Sequence, residues 1–440
     1  MITTVNEVLE FIKDNDVKFI RLSFCDLFGR LKNISIMPDE LPRAFEHGIP
    51  FDAHAVSGFT DITKSDLLLV PDPTTLSILP WRPQQGRVVR FYCSIRNPDG
   101  SIFWGDTREI LKSVVNRVSQ KGYSCMIGAE CEFYLFITDE NGEPTTTPFD
   151  NGGYLDVYPH DRGENIRREI CICLEEMGVK PETSHHERGP GQNEVDFKFS
   201  DAVNSADNLI TFKQVVKSIA ARNGLFASFA PKPLPDKSGS GLHVNISITQ
   251  NGYNIFRLGG GEKEHSKAES FAAGVLQKIL EMSVFLNPVP NSYERLGVCE
   301  APKYVSWSHG NRSQLVRIPA DSDERMRMEL RSPDPATNPY LAFAIIIAAG
   351  LYGMENNLTL PESINADLYT ADESVIGKLP RLPENLGYAL KLAEKSDFLK
   401  NILNEQVLES YIRLKNIELQ TFHRSSDKKK FFLENYFKVI

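Results

Sequence analysis

Residues 4–13 read as a short helix, and the chain then switches period. Val17-Lys18-Phe19-Ile20-Arg21-Leu22-Ser23-Phe24 alternates as a strand does, and D-L-F-G-R at 26–30 supplies the turn that follows. Strand-like pieces recur at 31–36, 66–70 and 87–94, with one helical stretch at 39–46. This pattern predicts a small, mostly β domain ending near Trp104.

From about residue 106 the pattern changes. Stretches read as amphipathic helices (106–120, 163–178, 206–223, 267–286, 338–356) alternate with short strands. The strands are unusual in their polar face. In G-A-E-C-E-F-Y-L-F at 128–136, period two puts Glu130 and Glu132 on one side. His243, Asn245 and Ser247 share a face in G-L-H-V-N-I-S-I, as do Arg325, Arg327, Glu329 and Arg331 in R-M-R-M-E-L-R. One such strand is ordinary for a half-exposed antiparallel sheet. Three that carry Glu, His and Arg point to a shared concave surface, with helices covering the apolar faces. The expected fold is α+β: a curved, mostly antiparallel sheet forming an open barrel with a charged interior.

Composition narrows the classes. The 440 residues are 41% hydrophobic and 24% charged, ordinary for a globular chain of two or three domains, or one large domain with a companion. A net charge of −9 without a basic block argues against nucleic acid as a partner. The one positive run, Lys428-Lys429-Lys430, reads as a solvated helix face. Seven scattered cysteines lack metal-ligand spacing, and C-x-C at 171–173 lies in a helical stretch. The start has neither a basic region nor an apolar core, and no apolar run approaches about 18 residues. A cytoplasmic protein with reduced thiols and no membrane contact is expected.

Segment 184–199, S-H-H-E-R-G-P-G-Q-N-E-V-D-F-K-F, adds Glu187 and Glu194 across a P-G break that can fold them toward one site. The candidate cluster is then Glu130, Glu132, Glu187, Glu194, His243 and Glu329. So many inward carboxylates cannot stay ionised without cations. Oxygen-rich ligation with a single imidazole suits Mg²⁺ or Mn²⁺, more than one ion being needed. Arg295, Arg312, Arg317, Arg327 and Arg331 are then too many to be mere counter-ions and suit the holding of phosphates. The chain lacks G-x-x-x-x-G-K-[ST], so no P-loop is expected. The residues alone read as a metal-dependent ATP-type phosphoryl-transfer site, although a two-metal hydrolase shares most of these features.

Several ordered motifs resemble one family. They include V-P-D-P-T-T-L-S-I-L-P-W at 70–81, the 128–136 and 184–198 segments, P-K-P with G-S-G-L-H-V-N within 231–245, N-S-Y-E-R-L at 291–296, E-A-P at 300–302, N-R-S at 311–313, R-I-P at 317–319 and E-L-R-S-P-D-P-A-T-N-P-Y-L-A at 329–342. From about residue 15 to the C-terminus the chain resembles the glutamine synthetases of the class I bacterial type. The resemblance implies an N-terminal β-grasp-like domain (1–104) and a C-terminal catalytic domain (105–440) with two or three Mg²⁺ or Mn²⁺ ions. It implies Glu132, Glu187 and Glu194 as ligands of the ion that organises glutamate, and Glu130, His243 and Glu329 as ligands of the ion at the ATP phosphates. Arg317 and Arg327 match positions near the transferred phosphate, and Arg295, Arg312 and Arg331 those contacting glutamate or the phosphoryl group. Gly239 matches the backbone that meets the substrate carboxylate, Glu182 and Ser247 nucleotide-side positions, and Glu300 the flap residue that takes a proton.

The implied reaction makes an acyl phosphate from ATP and the γ-carboxylate of L-glutamate, which ammonia then converts to glutamine. An acyl phosphate hydrolyses in water, hence the closing flap. Ammonium must lose a proton before attack. Asp52 in F-D-A-H-A matches the family's ammonium-site Asp, with Asp66 fourteen residues on. Both would serve a neighbouring subunit in a homo-dodecamer of two stacked six-membered rings. Three departures bear on the nucleophile: His54 and Ala55 replace two serines, Ser238 replaces a common Asn, and the flap R-L-G-V-C-E at 295–300 is one residue short. Tyr369 stands where the family is adenylylated but in a changed setting, D-L-Y-T-A-D, so no adenylylation is expected, and Asp61 stands where some relatives carry an arginine. The leading expectation is a glutamate–ammonia ligase, and the alternative a γ-glutamyl-amine ligase. A ring kept only as a scaffold would show eroded ligands, whereas all six are intact.

Overall fold

The computed structural model describes residues 4–82, 85–257, 262–319 and 325–440, with the backbone alone for 262–265. Helix α1 (Val5–Asp14) starts at a capping box: Thr4 Oγ1 accepts from the Glu7 N–H at 3.3 Å, and Glu7 Oε2 accepts from the Thr4 N–H at 3.0 Å. It buries Val8 and Ile12 on a sheet of β1 (Val17–Cys25), β2 (Leu31–Ile36), β3 (Ile49–Asp52), β4 (Asp66–Pro71), β5 (Ser77–Ile78) and β6 (Arg87–Arg96). The order is β2-β1-β6-β4-β3, with β5 also on β6; β1 and β6 run parallel and the other pairs antiparallel. Helix α2 (Leu41–His47), entered through a 3₁₀ turn at Pro38–Glu40, packs on β4.

The second sheet is built around one long strand, β7 (Tyr123–Thr138). Its further strands are β8 (Pro144–Pro148), β9 (Pro181–His186), β10 (Gln192–Phe197), β11 (Ser200–Asp201), β12 (Leu225–Ser228), β13 (Leu242–Gln250), β14 (Tyr253–Asn254), β15 (Trp307–His309), β16 (Val316–Ile318) and β17 (Met328–Leu330). The main order is β15-β16-β17-β13-β7-β10-β9, antiparallel except at β15–β16. Along β7, Cys125, Ile127, Ala129, Cys131 and Phe133 are buried, while Glu130 and Glu132 take the opposite face. The buried face is covered by helices α3 (Thr107–Gln120), α4 (Glu164–Glu176), α5 (Ala202–Arg222), α6 (Glu262–Leu286), α7 (Ser292–Arg295) and α8 (Pro339–Glu355) together with helices further along the chain.

Two expectations need correction. Residues 338–356 are not amphipathic: α8 is buried on nearly every side, wedged among α3, α5, α6 and the helix Asp397–Leu403. An all-apolar helix of this kind belongs inside the core. Its approach to α6 requires Gly353, where a Cβ would lie 1.9 Å from the Ser270 carbonyl oxygen. Second, R-M-R-M-E-L-R is not one strand: β17 spans only Met328–Leu330, and Arg325 is exposed outside it. Arg327, Glu329 and Arg331 nonetheless meet in one place, as described below.

Buried charge joins the end of β4 in the small sheet to the helices that cover the large one. Arg108 on α3 bonds Asp207 on α5 through Nε and Nη2 at 2.9–3.2 Å and Asp72 at 2.9 Å, and the Tyr340 hydroxyl donates to Asp207 at 2.7 Å. Among the described residues no helix is long and apolar enough to cross a membrane.

Candidate active site

Strand register brings the acids together. Opposite one another lie Glu132 and Glu194, Glu130 and Asp196, Glu130 and His243, and Arg317 and Glu329. Like charges so placed repel unless something intervenes. Glu130, Glu132, Glu194, Asp196 and His243 line a cavity of about 380 Å³ together with Arg295, Arg312, Arg317, Arg327 and Arg331, while Glu329 is fully buried against Arg317 and Arg331.

Ligand atoms of Glu130, His243 and Glu329 all lie within 4.8 Å of one another. His243 Nδ1 is 3.3 Å from Glu130 Oε2 and 3.8 Å from Glu329 Oε1. Glu329 is fully buried, its oxygens accepting from Arg331 Nη1 and Arg317 Nε, each at 2.5 Å. Burial opposes its ionisation, but the Arg331 charge prevails and holds the carboxyl below its usual range. Glu130 is brought down to about 2, burial being overcome by hydrogen bonds from His243 and Asn245 and by the Arg331 charge. For His243, burial and the Arg331 charge push the pKa down. That favours neutral imidazole, the form that ligates metals.

The second acid group behaves oppositely. Burial and the Glu187 charge push Glu132 up to about 8, and burial with the Glu130 charge pushes Asp196 up to about 6. Burial with the Asp196 charge raises Glu194 well above its usual range, and burial raises Glu187. These are carboxylates short of positive charge. The donor set, oxygen-rich with imidazole, fits divalent cations of the Mg²⁺ and Mn²⁺ kind. Glu132 is oriented by Gln192 Nε2 at 2.8 Å and the Gly241 N–H at 2.9 Å. Gly239 lines the cavity where a Cβ would sit 2.5 Å from the Pro231 carbonyl oxygen, so only glycine fits.

The guanidinium wall is fixed from behind. Arg295 is buried, with Nη1 donating to the Ser332 carbonyl at 2.9 Å and Nη2 to the Arg331 carbonyl at 3.2 Å. Arg327 Nε donates to Asn245 Oδ1 at 2.9 Å, and Asn245 donates to Glu130 at 2.8 Å. Glu300 stands at the rim.

Four candidates lie apart from this cavity. Asp52 and Asp66 face each other across β3 and β4, exposed. Ser247 lies on β13 opposite Met126, and Glu182 lines a separate groove beside α4 that adjoins the cavity at His185. Sequence reading missed His185, Asp196, Gln192, Tyr154 and Arg188, all of which line the cavity. Period two could have found three of them: His185 precedes Glu187 by two, and Gln192 and Asp196 flank Glu194 by two. Tyr154 arrives from a loop and carries no such signal. His185, Glu194 and Asp196 form a further group of donors within 4.8 Å of one another. In a buried third group, His186 bonds Asp150 at 2.9 Å, while Arg167 already satisfies Asp161 at 2.5–3.1 Å. That group reads as a support beneath Glu187.

Residues 16–98 match the glutamine synthetase beta-Grasp domain, and residues 104–433 match the glutamine synthetase catalytic domain. Glutamine synthetase of Clostridium saccharobutylicum is 44% identical over 437 residues, covering 98% of both chains. Glutamine synthetase of Methanosarcina mazei is 44% identical over 420 residues, covering 94% of both. Among solved structures, "GmaS/ADP complex-Conformation 1" superposes with a TM-score of 0.87 at 29% identity, covering 97% of this chain and 99% of the other. "Apo GmaS without ligand" superposes at 0.86, also 29% identical. The two family domains follow one another in order over nearly the whole chain, and on that ground the chain belongs to the glutamine synthetase family.

Proposed function

We propose that this protein is a glutamate–ammonia ligase, joining ammonia to the γ-carboxylate of L-glutamate with conversion of ATP to ADP and phosphate. The observation that carries the reading is one cavity lined by Glu130, Glu132, Glu187, Glu194 and His243 together with five guanidinium groups. Residues 105–440 would form the catalytic domain, behind a β-grasp domain at 1–104. Glu132, Glu187 and Glu194 would hold one Mg²⁺ or Mn²⁺ ion, and Glu130, His243 and Glu329 another. When bound, these ions supply the charge that lets acids and triphosphate share a cavity.

The chain's own residues do the rest. Arg317 and Arg327 stabilise charge on the transferring phosphoryl group, and Arg295, Arg312 and Arg331 hold glutamate, whose carboxylate meets the backbone at Gly239. Glu182 and Ser247 belong to the nucleotide side. Ammonia adds at the acyl carbon, the C–O bond to phosphate breaks, and the surplus proton passes to Glu300. Asp52, supported by Asp66, binds ammonium for a neighbouring copy, since both are exposed and apart from their own cavity. The assembly would be two stacked hexamers in the cytoplasm.

Around the rim, Tyr154, Cys299 and Ala301 are the cavity's less polar residues, a poor lining for an alkyl chain. This favours ammonia. His54 and Ala55 beside Asp52 favour the second reading, a γ-glutamyl-amine ligase. Phosphate release with ATP, glutamate and a panel of nitrogen nucleophiles separates the two: ammonium should give the fastest turnover, and an alkylamine or polyamine outpacing it would sink the first reading.

A further inference from the structure

The flap is clamped at several points. Its turn closes with the Gly297 N–H donating to the Ala301 carbonyl at 3.1 Å. Within it, Cys299 (φ +48°) and Glu300 (φ +66°) both adopt the left-handed region. Successive non-glycine residues there are disfavoured and persist only where their surroundings hold them. Two anchors lie on the flap's own side: Arg331 Nη2 donates to the Glu300 carbonyl at 3.3 Å, and the Tyr369 hydroxyl donates to the Ala301 carbonyl at 3.0 Å.

Another anchor crosses the cavity mouth. Arg188 Nη2 donates to Glu300 Oε1 at 2.5 Å. The Arg188 N–H donates to Glu187 Oε2 at 3.1 Å, so one residue joins a candidate metal ligand to the flap carboxylate. Both side chains are partly open to solvent, 57% for Arg188 and 35% for Glu300. An ion pair this exposed contributes little to the stability of a fold. Its position gives it a different use: it can bias a flap between open and closed without affecting the rest of the molecule.

We propose that Arg188 is a positioning residue that latches the Glu300 flap across the cavity mouth and so shields the acyl phosphate from water. This rests on the ligase reading above. The step it suppresses is hydrolysis: water adds at the acyl carbon, the C–O bond to phosphate breaks, and glutamate and inorganic phosphate leave without an amide. The latch uses the Oε1 side of Glu300, while the backbone anchors of Arg331 and Tyr369 keep the turn in place.

The test uses the full-length enzyme with Mg²⁺, ATP, glutamate and ammonium, comparing wild type with Arg188→Ala and Arg188→Lys. The phosphate released in excess of glutamine should rise roughly three-fold in the alanine variant, the population change an exposed ion pair supports, and with it the phosphate-to-glutamine ratio, falling back partway with lysine. Thermal unfolding should not move. A second readout is independent of turnover: Cys299 is the exposed cysteine and sits in the flap, so its alkylation by iodoacetamide reports opening. It should also quicken roughly three-fold in Arg188→Ala. An unchanged alkylation rate overturns the latch, and faster alkylation with an unchanged ratio overturns its shielding role. Faster alkylation in a protein that makes no amide from any nucleophile supports the latch and overturns the ligase reading instead.

Discussion

Paired acids stand on adjacent strands in two regions of this protein, and the two pairs meet opposite circumstances. On the large sheet, Glu132 faces Glu194 and Glu130 faces Asp196 within a cavity, close to His243, Arg295 and Arg331. On the small sheet, Asp52 faces Asp66 in open solvent, where water screens the repulsion and Asp52 accepts the His54 N–H at 3.0 Å. Burial and like charge push both Glu132 and Glu194 up, whereas Glu130 is held down and Asp196 pushed up, perturbations of the kind found at functional sites. The exposed pair is ordinary in its own chain, and the role proposed for it needs another surface. On the proposed reading, one region is a site nearly complete within a chain, and the other would complete the site of a second copy.

The harshest way to break this contrast is Glu329→Ala. It leaves Arg317 and Arg331 without their shared carboxylate, which should cost roughly 3–5 kcal/mol of stability and abolish phosphate release. Retained activity in such a variant would mean the buried wall is not the site. Next in size is Asp52→Asn. Asparagine keeps an acceptor for the His54 N–H, so the short 3₁₀ turn at Ala53–Ala55 stays capped and the melting temperature unchanged. Ammonia-dependent turnover should fall by about 10²-fold or more through loss of the negative charge; a variant as fast as wild type would remove Asp52 from the reaction.

The contrast sharpens if inactive copies rescue each other. Random co-assembly of Asp52→Asn and Glu132→Gln chains in equal amounts should restore about a quarter of the sites, because each intact cavity needs an intact neighbour on one side. No recovery in verified mixed rings would show that the exposed pair does not serve a neighbour.

The smallest expected effect is on pH. Glu132 rises from 4.5 to about 8 on folding and Asp196 from 3.8 to about 6. Between those limits the folded state binds protons that the unfolded state has lost, so stability is full below the unfolded values and falls as pH rises. Metal-free protein should melt a few degrees lower at pH 8 than at pH 5, and Mg²⁺ should restore more stability at the higher pH. A metal-free melting temperature that climbs across this range would show the acids to be satisfied without cations.

Much of the site was legible because strand alternation is local. Two carboxylates in G-A-E-C-E must share a face whatever surrounds them, and the same holds for His243 and Asn245. The rule also applied to Asp196, two beyond Glu194 on the same strand β10, whereas Glu187 lies just past the end of β9, which hid His185. Arg327, Glu329 and Arg331 converge even though their strand is short, since β17 needs only three residues to pair with β13 and β16. Helix α8 was misread because periodicity reports a helix with one wet side, and this helix has almost none.

Local chain geometry and residue chemistry thus determined, from the amino-acid order alone, which acids and cations share a face, that a curved α+β scaffold carries them, and which family's motifs are present. Tertiary structure decided what depends on distance between remote segments: that Glu130 meets His243 and Glu329, that Arg188 reaches across to Glu300, and that Asp52 stands outside its own cavity. Burial and charge act over a few ångströms of space, whatever the separation along the chain, so protonation and pairing became readable only once the strands were in register.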